Sequence, residues 1–134
     1  MKARLLILVL LCIFSFCCAP KLSVEEMSYL ERVMKTPLVF TVPNEKAEIV
    51  WGRIQSYIGK YSPIKIQVAE DYVVQTYDSW VYVSYHATRT PGETETEFSI
   101  KRWSKSFDAT DRNAHILAYY ALTGELMPRL IKRE

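Results

Sequence analysis

Beyond residue 18 the chain has no cysteine, so neither a disulfide framework, a zinc cluster nor a thiol nucleophile can be built there. Glycine is scarce, four in 134 residues, and no phosphate-cradling loop, G-x-S-x-G elbow or H-E-x-x-H stretch occurs. No excess of one charge exists either: 17 Lys and Arg stand against 15 Asp and Glu, interleaved along the chain. The basic footprint of a phosphate-backbone binder is missing, which speaks against nucleic acid as a partner. Repeats and low-complexity runs are absent too, which excludes collagen, coiled-coil arrays and long disordered tails. What remains is an average globular composition, 49% hydrophobic, with nine Tyr and three Trp. Such a chain builds one packed domain.

The longest apolar run is residues 5–16 (LLILVLLCIFSF), preceded by Lys2 and Arg4 and followed by Cys17, Cys18, Ala19, Pro20 and Lys21. A twelve-residue run, uncharged and apolar but for Ser15, suits the core of a secretory signal and falls short of the roughly 20 that span a bilayer. Removing residues 1–18 takes away two basic residues and no acid, so the formal charge of +2 falls to zero. All three cysteines, Cys12, Cys17 and Cys18, lie in this segment. A Cys pair directly after the apolar run resembles the end of a bacterial lipoprotein signal peptide, whose first mature residue is a lipidated Cys. Cys18 is the better candidate, because the smaller Cys17 precedes it whereas Phe16 precedes Cys17; Cys17 is the alternative. The resemblance implies a diacylglyceryl thioether, often with an N-acyl (palmitate-type) chain. Several acyl chains anchor stably where one is marginal. By the same analogy, Ala19 in place of Asp points to the outer membrane of a Gram-negative envelope, facing the periplasm. The rival reading is ordinary cleavage after Ala19, which yields a secreted or free periplasmic protein.

In the mature chain, Ser23 with Glu26 three residues on makes a capping-box pattern, and Val24, Met27, Leu30, Val33 and Met34 predict a short helix over 23–35. Thr36 and Pro37 end it, and residues 38–42 (LVFTV) read as a strand. Asn44 is the expected cap of a long amphipathic helix carrying Ala47, Val50, Trp51, Ile54, Tyr57, Ile58 and Tyr61, with Gly59 near its end. The middle third alternates apolar residues every second position, through Ile64, Ile66 and Val68, then Tyr72, Val74 and Thr76, then Val81, Val83 and Tyr85, then Phe98 and Ile100. Tight turns at 69–71, 78–79 and 90–93 pair Val68 with Tyr72, Val74 with Val83 and Arg89 with Thr94. A last helix is expected over 111–123, stopped by Gly124 and followed by a frayed tail at 125–134. The expected organisation is a signal at 1–18, a tether and short helix at 19–37 and one α+β domain at 38–124.

This order of elements is an α+β arrangement: a four-stranded antiparallel meander plus an N-terminal strand, covered on one face by a long amphipathic helix and a C-terminal helix. It resembles the helix-grip domains of an outer-membrane assembly lipoprotein, with a cystatin-like grip as the alternative. Neither resemblance confers a function.

Few side chains suggest chemistry. The expected register sets His86 opposite Glu97, a pairing with residual acid/base capacity. Its structural reading is a solvated cross-strand pair, the stronger one because no nucleophile or oxyanion loop accompanies it. His115 one turn from Asp111 reads as a surface helix pair, and Glu70 with Asp71 as turn residues. The expectation is a non-enzyme without cofactor or metal.

The same register places Trp80 opposite Trp103 and Tyr82 opposite Lys101, with Tyr77 beside Trp80, on the face away from the long helix. Aromatic rings rimmed by charges there point to a protein partner in the envelope. A different class of function, carriage of a lipid or small apolar ligand, would use Trp51, Tyr57, Tyr85 and Phe98 between helix and sheet. Large rings in a small domain also serve simply as core.

Overall fold

The computed structural model describes residues 22–102 and 111–128. The first helix, α1 (Val24–Met34), opens with the expected capping box. The Ser23 hydroxyl accepts the Glu26 N–H at 3.1 Å, and the Glu26 carboxylate accepts the Ser23 N–H at 2.8 Å. Two donors that a helix start leaves orphaned are thereby satisfied. Strand β1 (Val39–Pro43) leads into the long helix α2 (Asn44–Tyr61). Asn44 does not cap α2: Pro43 occupies the cap position with no side-chain bond. Gly59 lies in the last turn of α2, near its end as expected.

Strands β2 (Ile66–Ala69), β3 (Val73–Thr76), β4 (Tyr85–Pro91) and β5 (Glu95–Arg102) follow, and helix α3 (Arg112–Thr123) comes last. The sheet is antiparallel throughout, in the order β1-β5-β4-β3-β2. Gly124 stops α3 at a φ of +77°, its N–H bonded to the Tyr120 carbonyl at 2.7 Å. That left-handed conformation is cheap only for glycine. The protein is thus the expected α+β fold, a meander plus an N-terminal strand with helices on the sheet.

The core lies between layers. From α2, Ala47, Val50, Trp51, Ile54, Tyr57 and Ile58 are buried, and from the sheet Phe40, Val74, Ala87, Phe98 and Ile100. Helix α3 contributes Ala114, Leu117, Ala118 and Ala121 and packs on α1, α2 and β5. The Arg53 guanidinium donates to the carbonyls of Ala121 and Leu122, the last groups of α3, where a positive charge also suits the helix dipole. The tail expected to fray is tied where it begins: the Glu125 carboxylate accepts from Arg32 Nη2 at 2.6 Å and from the Tyr119 hydroxyl at 2.6 Å.

Strand register departs from the tight-turn expectation. Val74 faces Ala87 rather than Val83, and Arg89 faces Phe98 rather than Thr94, each a slip of four residues. An even slip leaves the side chains of these strands on their expected faces, which is why Val74, Tyr85, Phe98 and Ile100 are buried as read while the pairs differ. The β2–β3 pair shifts by an odd number, with Ala69 opposite Val74 and an irregularity between Ile66 and Val68. Tyr72 keeps the parity of Val74, its carbonyl accepting the Arg89 N–H at 3.0 Å, but it lies in the turn and is exposed.

Candidate functional site

The longer connections concentrate at one end of the sheet. Expected as a two-residue turn, the β3–β4 connection is the loop 77–84. The ladder stops because the Thr76 hydroxyl, fully buried, accepts the Tyr85 N–H at 2.9 Å and so takes the place of a strand partner. The loop then folds on itself: Ser79 Oγ accepts the N–H groups of Val81 at 3.2 Å and Tyr82 at 3.1 Å. Local bonding of this kind turns the chain without a ladder. Val83 returns to the core edge and Ser84 is fully buried.

The consequence is an aromatic tip. Trp80 is 65% exposed and Val81 77%, and Tyr77 and Tyr82 are each more than half exposed. Several expectations change with this. Trp80 and Tyr82 sit on a loop rather than a strand, and Lys101 pairs with His86 instead of Tyr82. Val81, read as an inward residue, points to solvent. Trp103, expected opposite Trp80, lies outside the described residues. The Ser84 hydroxyl is buried with no hydrogen-bond partner, a situation that costs about 1–3 kcal/mol.

Between helix and sheet, Trp51, Tyr57, Tyr85 and Phe98 are all buried, and they touch. The Trp51 and Phe98 ring centres lie 6.4 Å apart, and Tyr57 meets Tyr85 edge-on at 6.4 Å. Phe40 stacks on Phe98 at 5.6 Å, and Tyr120 lies 5.5 Å from Tyr57. Burial pushes the Tyr85 hydroxyl up to about 12, and burial reinforced by Tyr85 raises Tyr57 further. These rings fill the interlayer space with one another. Among the described residues, grooves of about 240, 400 and 360 Å³ open on the surface, and none of these is lined by Tyr57, Tyr85 or Phe98.

The acid/base candidates separate. His86 stands opposite Lys101, and Glu97 stands between Thr41 and Thr90. Partial burial, with the Lys101 ammonium beside it, holds the His86 imidazole below its ordinary pKa, the reverse of what a carboxylate neighbour would do. His86 Nδ1 and the Gln75 side-chain oxygen are 2.8 Å apart. His115 turns away from Asp111, and its Nδ1 donates to the Thr36 carbonyl at 2.8 Å, tying α3 to the end of α1. Glu70 and Asp71 form the β2–β3 turn, closed by the Glu70 N–H on the Val73 carbonyl. Among the described residues no group of three His, Cys, Asp or Glu is placed to hold a metal ion.

Sequence reading missed the busiest side chain, Arg89. Only 12% exposed, it lies on the inner face with its guanidinium carbon 5.2 Å from the Trp51 ring centre and 5.7 Å from that of Tyr72. Its Nη1 pairs with Glu48 at 2.6 Å, and its Nε donates to the Asp71 carbonyl. Nearby, the Asn44 amide donates to the carbonyls of Gly92 at 3.1 Å and Glu93 at 3.0 Å and accepts the Thr96 hydroxyl at 2.8 Å. Together they lock both turns at that end of the sheet to α2. The signal was faint: an Arg one position out of step with a polar strand face.

Comparison with known proteins brings no match: no protein family, curated protein or solved structure is similar to this chain at a significant level. Among the described residues no helix is long and apolar enough to cross a membrane.

Proposed function

We propose that this is a non-catalytic, lipid-anchored protein of the cell envelope, held at the outer membrane through Cys18, with Cys17 as the alternative attachment point, whose α+β domain binds another protein through the loop 77–84. The exposed run of Tyr77, Trp80, Val81 and Tyr82 carries this reading. Aromatic side chains with few rotatable bonds lose little entropy on docking and bury large areas, which is why they dominate the centres of protein interfaces. Trp103 belongs to the same proposed surface through the sequence alone.

A photo-reactive phenylalanine at position 82 in intact envelopes tests it. A discrete protein adduct is expected there and not with the same probe at Thr41 on the outer sheet face. Trp80→Ala should remove the adduct while leaving the thermal unfolding midpoint in place. Equal labelling at both positions, or no protein adduct at position 82, would sink the reading. Acyl labelling with a palmitate analogue, lost in Cys18→Ala, checks the anchor separately.

A further inference from the structure

Helix α1 keeps one side in the core and turns a partly apolar side outward. Tyr29 and Val33 are buried, and Glu26 is used up in the capping box. The outward side carries Val24, 79% exposed, with Met27 and Met34 each about half exposed. Leu22, just ahead of the helix, is exposed as well. An ion pair on that side joins Glu31 and Lys35, a turn apart at 3.7 Å, and adds no net charge. Arg32, at the edge, is held by Glu125 at 2.6 Å.

The length of chain between anchor and helix says what meets this side. If Cys18 carries the acyl chains, only residues 19–22 separate it from Ser23. Even fully extended, that stretch reaches about 18 Å, whereas a domain of about 100 residues, with a radius of gyration near 13 Å, is about 30 Å across. The tether is therefore shorter than the body it holds, and the start of α1 stays within that reach of the lipid surface. Lys21 gives the tether a positive charge, which suits anionic headgroups.

We infer that the outward side of α1, through Leu22, Val24 and Met27, rests in the interface of the bilayer that anchors the protein and so fixes the orientation of the domain. The inference rests on the anchoring reading. A lipid surface is a better fit than a folded partner, because the apolar side chains cluster at the tethered end of the helix.

The test uses the full chain, produced in a host that lipidates it and reconstituted in phosphatidylcholine and phosphatidylglycerol vesicles containing doxyl-labelled lipid. In the chain cleaved ahead of Cys18, a thiol introduced by Val24→Cys or Met27→Cys is the single free one, and it takes an environment-sensitive fluorophore. Glu97→Cys on the outer sheet face is the reference. Quenching at 24 and 27 should exceed that at 97 by about threefold, as expected for side chains in the headgroup and acyl boundary. Equal quenching at the three positions in a protein whose mass includes the acyl chains overturns this inference alone. A mass without acyl chains overturns the anchoring reading and this inference with it.

Discussion

At the end of the sheet where β4 turns into β5, Asn44 and Arg89 reach from α2 and the inner face to hold turn carbonyls and Glu48, and Arg89 is sandwiched by two aromatic rings. At the opposite end, where β3 gives way to β4, the loop 77–84 is held by Thr76 and Ser79 from within its own neighbourhood, and its large side chains face water. Both ends are turns in one sheet, yet the first spends polar side chains on rigidity and the second leaves apolar ones exposed. Most of the Trp80 and Val81 surface stays in water in the monomer. These side chains mark the end where a contact with something else would gain most.

The largest expected effect breaks the contrast from beneath, because Tyr57 and Tyr85 lie under the loop end. Both are raised above the ordinary tyrosine value of 10.0 and stay neutral when folded. The unfolded chain starts losing those protons near 10.0, so their contribution is complete below that pH and is lost as pH rises toward about 12, the folded value of Tyr85. Circular dichroism across that range should show alkaline unfolding. The double variant Tyr57→Phe/Tyr85→Phe should move the midpoint upward, and an unmoved midpoint would show that these hydroxyls do not govern it.

At the locked end, Arg89→Met keeps the stem but loses the guanidinium bonds and the stacking. Urea denaturation should register a loss of about 2 kcal/mol. A loss below about 0.5 kcal/mol would erase the distinction between the ends. At the loop end, Ser84→Ala removes a buried hydroxyl without a partner and should raise stability by about 0.5–1 kcal/mol in the same measurement. A drop would mean that the hydroxyl is satisfied in solution. Smallest of all, Trp80→Ala with Tyr82→Ala should change stability by no more than about 0.5 kcal/mol, since both side chains are exposed. A larger loss would make the aromatic tip part of the core and undo the functional reading.

Much of the fold was legible. Ser23 and Glu26 announce α1, the stripe from Ala47 to Ile58 announces α2, and Gly124 announces the end of α3, because each signal is local and each interaction closes within one or two turns. The candidate site was legible in composition but not in geometry. Trp80 and Tyr82 stood out as residues, yet their assignment to a strand assumed a tight turn at Asp78 and Ser79. The ladder ends early because Thr76 bonds the Tyr85 N–H, a contact between residues nine apart that no periodicity records. Asn44 was misread for a similar reason: its partners are Gly92, Glu93 and Thr96, about fifty positions away.

The sequence alone determined the fold class, most of the stretches that become helices and strands, and the face taken by the side chains of β4 and β5, because helical and strand periods are properties of the local chain and survive an even slip of register. Tertiary structure alone decided which residues pair across the sheet, that Arg89 lies between Trp51 and Tyr72, and that a two-residue turn becomes an exposed aromatic loop. Those outcomes depend on hydrogen bonds and packing between segments far apart in the chain, and their partners are chosen only when the layers close.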